Sequence, residues 1–222
     1  MTKLREGLPP LPRRLLHLPL DHRGYPIPWF VATLADGTRD FRVADGAKRL
    51  RAVNEKLCWL CGEPLGKFKC FVIGPMCVVN RNTSEPPSHR ECAAYAVIAC
   101  PFMTRPQAKY RMANLPSEDN KLSLPPQMLD GNPGGAAIWI TESFSPYRVP
   151  GTKSDWLIRL GDPIEVSWWV EGKLATREQV LACFSERLPL LEAIAHEHGE
   201  DEVLKVAVAR AMKYLPEATM TT

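Results

Sequence analysis

The sequence predicts an α+β fold in which a cysteine-rich module, preceded by a β-hairpin and a helix, is joined to a small antiparallel sheet capped by C-terminal helices. Three observations predict it. Six of the seven cysteines fall between Cys58 and Cys100. β-Prone runs bounded by turn residues occur both before that cluster and well after it, and apolar residues recur at helical spacing from Thr176 onward.

The bulk properties set limits. With 222 residues and 45% hydrophobic content, the chain is long enough for one substantial core or two small ones. No apolar run approaches the ~20 residues that span a bilayer. The N-terminus, MTKLREGLPPLPRRLL, lacks the apolar stretch and cleavage site of a secretory signal, so a soluble, cytoplasmic protein without membrane association is expected. The net charge of +3 hides an asymmetry: residues 1–110 hold 17 Lys and Arg against 9 Asp and Glu, and residues 111–222 hold 11 against 16. Such a split fits a polyanion-binding N-terminal half, and equally two halves that dock on each other.

The elements follow in order. Prolines at 9, 10, 12, 19, 26 and 28 hold the first stretch extended, as an arm laid over the surface. WFVATL and TRDFRV flank Ala35-Asp36-Gly37, so Trp29 to Val43 reads as a hairpin. Asp45 suits the N-cap of a short basic helix, Gly46 to Lys56. Between residues 104 and 135, Pro106, Pro116, Pro125, Pro126, Pro133 and a Gly134-Gly135 pair with little periodicity mark a connecting segment. It divides an N-terminal part, residues 1–103, from a C-terminal part, residues 136–222. In the latter, AAIWITE, DWLIRL and PIEVSWWVEG read as strands of one small antiparallel sheet. Thr176 with Gln179 fits a capping box opening a helix to about Glu186; Leu188 to His198 reads as a second helix closed by Gly199, and Asp201 to Leu215 as a third.

The cysteine module carries the chemistry. Cys58-Trp59-Leu60-Cys61-Gly62 is a C-x-x-C turn followed by glycine, which lets two thiolates reach one ion while the backbone turns sharply behind them. LGKFKCFVIGPMCVVN is β-prone on both sides of Gly74-Pro75 and reads as a hairpin. Ser88 then suits the N-cap of an alanine-rich helix that opens His89-Arg90-Glu91-Cys92, and a spacing of three puts His89 and Cys92 on one face. Cys58, Cys61, His89 and Cys92 are therefore the expected ligands of one Zn²⁺, structural because four protein ligands leave no open position. The competing reading makes the cysteines a redox pair or core residues and His89 a cap. Cys70, Cys77 and Cys100 are expected in apolar packing, though one of them could replace His89 as a ligand; Cys183 is expected in the core.

Knuckle, hairpin and ligand-bearing helix, in that order from Leu57 to about Cys100, resemble the treble-clef zinc finger. The resemblance raises the HNH type of nuclease, which is built on that scaffold, as an alternative. Such an enzyme needs a hairpin histidine as base, and this hairpin has none; Asn80, Arg81 and Asn82 follow it. The strings CWLCGEPLG, FVIGPMCVVNR, EPPSHRECA, ACPF and EVSWWVEGKLATREQV further resemble an uncharacterised group of bacterial and phage proteins. That resemblance implies a bacterial or phage origin and brings no activity with it.

The leading expectation is a non-enzymatic zinc-dependent binding protein acting on nucleic acid or a host protein. Lys48, Arg49, Arg51, Lys67, Lys69, Arg81 and Arg90 are the candidate phosphate-binding surface, with Phe68, Phe71 and Tyr95 as stacking candidates. Aromatics beside a zinc knuckle more often fill its core. His17, Asp21 and His22 in the arm, and His196-Glu197-His198 at a helix end, read as surface groups; the latter lacks the H-E-x-x-H spacing of a zinc protease. No phosphate-binding glycine loop, nucleophile elbow or kinase signature occurs. Oligomeric state is not legible.

Overall fold

The computed structural model describes residues 2–105, 134–149 and 156–217. Most of the expected connecting segment, residues 106–133, thus lies outside the described residues. Helices and small antiparallel sheets mix along the chain. The first sheet is the expected hairpin, β1 (Val31–Thr33) with β2 (Arg39–Ala44), and Gly37 takes a left-handed φ of 81° in its turn. Helix α1 (Gly46–Asn54) follows, with the Asp45 carboxylate accepting the Lys48 N–H at 3.0 Å as its N-cap.

The second β-prone run behaves differently from expectation. Strand β3 (Lys69–Ile73) does not turn back on itself; at Gly74 the chain enters a short helix, α2 (Pro75–Asn80), and then a two-residue strand, β4 (Asn82–Thr83). Pro75 sits at the first helical turn, where its fixed φ suits a helix and its missing N–H costs nothing. The ladder positions of β3 are instead taken by β5 (Ala136–Thr141), from Lys69 opposite Thr141 to Ile73 opposite Ala137. The expected hairpin of the cysteine module is therefore replaced by a long-range strand pair.

The C-terminal strands also divide between two sheets rather than forming one. In chain order they are β5, β6 (Phe144–Arg148), β7 (Trp156–Leu160), β8 (Pro163–Val170) and β9 (Lys173–Leu174). One sheet has the order β3-β5-β8-β9 and the other β4-β7-β6. Strand β5 is central in its sheet and all six of its residues are buried, so it reads as a continuous apolar run; β8 buries Trp168 and leaves Ile164 outside.

Thr176 and Gln179 make both hydrogen bonds of the expected capping box, opening α4 (Arg177–His198). The two helices expected on either side of Arg187 are one, with Pro189 inside it. Val180, Cys183 and Phe184 before the proline and Leu191 and Ala195 after it are all buried. Burial on both sides outweighs the single backbone hydrogen bond that Pro189 removes. Gly199 ends the helix at φ 66°, and α5 (Asp201–Ala211) runs on into a 3-10 turn, Met212–Tyr214.

The main core lies between these elements and holds Phe71, Trp139, Ile158, Trp168, Val180 and Phe184. The Trp139 indole N–H donates to the Gly161 carbonyl at 3.0 Å and that of Trp168 to the Tyr214 carbonyl at 2.8 Å, so both large rings are satisfied as well as buried. Among the described residues no helix is long and apolar enough to cross a membrane.

Candidate metal centre

The first half of the site is a tight turn. The Gly62 N–H donates to the Cys58 carbonyl and the Cys58 N–H to the Glu63 carbonyl, each at 2.8 Å. Gly62 has φ 78°, and a Cβ there would lie 2.7 Å from the Trp29 ring. Only glycine satisfies both the backbone and the ring. The turn aims Cys58 and Cys61 inward, 0% and 2% exposed.

The second half is the start of α3 (Arg90–Ala99). Its N-cap is His89, not the expected Ser88. Ser88 is instead engaged with Cys70 in a two-bond bridge, its N–H donating at 2.7 Å and its carbonyl accepting at 3.0 Å. That bridge fastens the approach to α3 against β3. His89 at the cap and Cys92 in the first turn then face the turn at 58–61.

The side chains of Cys58, Cys61, His89 and Cys92 converge, with all four ligand atoms within 4.8 Å of one another. His89 Nδ1 lies 3.4 Å from Cys61 Sγ and 3.9 Å from Cys92 Sγ. A tetrahedral ion with Zn–N of about 2.0 Å and Zn–S of about 2.3 Å needs a nitrogen-to-sulfur separation of about 3.5 Å. The residues present are thus a tetrahedral donor set gathered close to the spacing of a zinc-sized ion.

The surroundings fix which ring nitrogen of His89 faces the thiols, and the metal-free site holds a different set of charges from the one an ion would impose. His89 Nε2 is 3.0 Å from the Pro64 carbonyl. A carbonyl can only accept, so Nε2 carries the proton and, in the neutral ring, Nδ1 presents its lone pair to the thiols. Backbone N–H groups of Cys61 and His89 donate to Cys58 Sγ at 3.5 and 3.4 Å. Burial opposes ionisation of Cys58, but hydrogen bonds from Cys61, Cys92 and His89 outweigh it and hold its pKa below the ordinary thiol value. Burial also works against a charged His89, yet the hydrogen bonds to Cys58 and Cys61 raise it to about 10. Cys92 is pushed up, first by its hydrogen bonds to Cys58 and Cys61 and then by burial. The ion-free site therefore favours one thiolate paired with an imidazolium, and a divalent cation is what allows the remaining thiols to ionise together.

The other cysteines are elsewhere. Cys70 is 1% exposed against Ala93, Val97 and Ile140, and burial pushes its thiol up to about 11. Cys77 packs against the main core, with burial pushing it to about 12, and Cys100 caps the far end of α3. Cys183 is buried on α4. None of them belongs to the convergent group.

The seven basic residues expected to form a phosphate-binding surface are each drawn into contacts within the chain. Lys48 donates to the Val31 carbonyl at 3.1 Å. Arg49 reaches the Ser84 and Trp156 carbonyls at 2.8 and 2.9 Å and stacks on the Trp156 ring, 3.7 Å from its centroid. Arg51 pairs with Glu55, Lys67 with Glu142, and Arg81 with Asp162, at 2.8, 2.9 and 2.8 Å respectively. Lys69 donates to the Gly66 and Lys67 carbonyls. Arg90 holds Glu165 through two bonds of 2.7 Å each. Of the stacking candidates, Phe71 and Tyr95 are buried and Phe68 is 45% exposed.

Sequence reasoning missed the contribution of the N-terminal arm. Leu15 and Leu18 are buried in one cluster with Cys58, Cys61, Cys92, Tyr95 and Ala99, and Leu8 and Leu11 pack on its edge. The only signal was the spacing of these four leucines, three, four and three residues apart among the prolines. Pro64, whose carbonyl orients His89, carries no sequence signal of that role. Comparison with known protein families, with curated proteins and with solved structures finds no match.

Proposed function

We propose that this is a non-enzymatic zinc-dependent binding protein, in which Zn²⁺ held by Cys58, Cys61, His89 and Cys92 builds a rigid, treble-clef-like platform for a protein partner. The observation that carries the reading is the closed ligand set: three sulfurs and one nitrogen converge on one point. With four protein ligands no coordination position remains for water or substrate, so the ion supplies structure rather than Lewis-acid chemistry. The platform departs from the treble clef in one respect, since the strand after the knuckle pairs with β5 instead of with its own return strand. The proposed bacterial or phage origin rests on the sequence resemblance alone.

A protein partner is favoured over nucleic acid because the basic side chains that would meet phosphate are already engaged within the chain, five of them with carboxylates. Binding phosphate would first require breaking those pairs. The nuclease alternative is disfavoured by the same site: His89 converges with the three cysteines as a ligand, and among the described residues no second cluster of metal ligands accompanies it.

Metal analysis of the purified chain tests the core of the reading. One zinc per chain is expected, with none in Cys92→Ala and a reduced content in His89→Ala; unchanged zinc in both variants would refute the ligand set. A gel-shift series at rising salt and a plasmid incubation with Mg²⁺ or Mn²⁺ test the partner class. A steeply salt-dependent shift would replace the protein partner by nucleic acid, and cut plasmid would replace binding by catalysis.

A further inference from the structure

We infer that the N-terminal arm is the outer shell of the metal centre, so that arm docking and metal occupancy are a single linked equilibrium. This inference rests on the zinc reading above and adds the residues that regulate the site.

The two ligand pairs come from separate segments, with Cys61 and His89 28 positions apart in the chain. Besides a shared ion, one arm side chain spans both. Arg14 is ion-paired with Glu63, two positions after Cys61, and its Nε lies 2.9 Å from Glu91, the residue before Cys92. A single guanidinium thus ties the knuckle to the first turn of α3. Three residues on, His17 Nε2–H donates to the Cys61 carbonyl at 3.1 Å, inside the knuckle turn itself. Between and beside these polar anchors, Leu15 and Leu18, 3% and 9% exposed, are buried in one cluster with Cys58, Cys61 and Cys92.

Each contact acts on the ion by a known physical route. Arg14 is matched by the two carboxylates it holds, so its action on the site is to tie Glu63 of the knuckle to Glu91 of α3 rather than to neutralise the −1 charge that three thiolates and a neutral imidazole would give around Zn²⁺. The leucines exclude water, which strengthens the metal–thiolate attraction and slows ligand exchange. His17 and Arg14 fix the backbone and carboxylates that hold the two ligand pairs in register. In the other direction, the ion draws together the surface on which the arm sits: without it the knuckle and α3 can separate, and Arg14 loses the spacing of its two carboxylates. Linkage makes the two effects equal in size, since whatever factor the arm adds to metal affinity the metal adds to arm docking. The arm is able to act as a unit because its own turns are closed, with the Arg5 N–H on the Gly24 carbonyl at 3.0 Å and Leu20 bridged to Pro26.

The test uses the full chain in two measurements. After zinc stoichiometry is established, zinc release to an excess of a chromogenic chelator is timed for the wild type, Arg14→Ala, His17→Ala, the double variant Leu15→Ala/Leu18→Ala, and Lys205→Ala as a remote control. Release is expected to be about 10-fold faster for Arg14→Ala and up to about 100-fold faster for the leucine pair, the range found when outer-shell partners of a metal are removed, with the control unchanged. Amide exchange is then followed with and without chelator. The arm amides of Arg5, Leu18 and Tyr25 are expected to lose protection on zinc removal while those of β5 keep it. A chain that carries no zinc overturns the zinc reading and this inference together. One zinc per chain, with wild-type release in all three arm variants or with arm protection indifferent to chelation, overturns this inference alone.

Discussion

On the zinc reading proposed above, the two cores of this molecule are held by different physics. The sheet core buries Trp139, Phe71, Phe184 and Ile158 almost completely, and its aromatic rings meet edge to face at centroid distances of 5.0 to 5.7 Å. Each such side chain contributes about 1.5–3 kcal/mol by leaving water, so area alone can hold that core together. The metal core has seven buried residues, three of them cysteines, with Tyr95 its single buried aromatic. To this smaller apolar cluster a structural zinc would add about 10–16 kcal/mol of apparent binding free energy, the range found in small modules. The lesson is that the two cores should fail to different agents: the sheet core to loss of side-chain volume, the metal core to chelation.

The strongest way to break the comparison is to remove a ligand. Cys92→Ala is predicted to abolish zinc binding and to unfold the knuckle and the arm, while the tryptophan signal of the sheet core persists; metal analysis with near-ultraviolet circular dichroism checks it, and simultaneous loss of both signals would show that the two cores are one cooperative unit. The converse substitution, Trp139→Ala, is predicted to cost about 3–5 kcal/mol in denaturant midpoint stability by opening a cavity and orphaning the Gly161 carbonyl, with zinc content still one per chain. Gly62→Ala tests the metal core without touching a ligand. Its Cβ meets Trp29 and its φ is 78°, so a loss of about 2 kcal/mol is expected, read as weaker zinc retention in chelator competition. Removing the capping box by Thr176→Ala is predicted to cost about 1 kcal/mol, confined to the sheet core and leaving zinc release unchanged.

The smallest effect lies at the junction. Arg90 on the metal-bearing helix holds Glu165 on β8, and the hydrogen bond to Arg90 keeps the Glu165 carboxyl below its ordinary 4.5. A depressed carboxylate contributes stability that is present above its unfolded value and lost as pH falls through its folded one. The pair is about half exposed, at 55% and 47%, so screening limits it to at most ~1 kcal/mol. Glu165→Gln should remove that much of the stability lost on going below pH 4.5, seen as a flatter pH dependence of the melting temperature.

The legible parts of the sequence were those whose cause is local. Asp45 capping α1, the Ala35-Asp36-Gly37 hairpin and the Thr176–Gln179 box follow from a few adjacent residues, and each is present. The ligand quartet was legible for a similar reason: C-x-x-C and H-x-x-C each place two ligands by local geometry, and their chemistry restricts what they can share. The misreadings arose where a distant segment competed. LGKFKCFVIGPMCVVN has the composition of two strands, but its first half finds a better partner in β5 and Pro75 starts a helix in its second. Arg187-Leu188-Pro189 reads as a helix break until burial on both sides of the proline is known. The intramolecular partners of the basic residues were not legible either: Glu142, Asp162 and Glu165 lie 75 to 81 residues away in the chain from Lys67, Arg81 and Arg90.

By itself, then, the sequence determined which atoms can bind a metal and where helices and turns begin, because both depend on bond geometry and hydrogen-bonding groups within a few residues. Only the tertiary structure decided that β3 belongs with β5, that Lys67, Arg81 and Arg90 pair with carboxylates far along the chain, and that Leu15 and Leu18 are buried in one cluster with Cys58, Cys61 and Cys92. Those outcomes depend on which buried surfaces and charges meet across long stretches of chain, and nothing in local spacing encodes that choice.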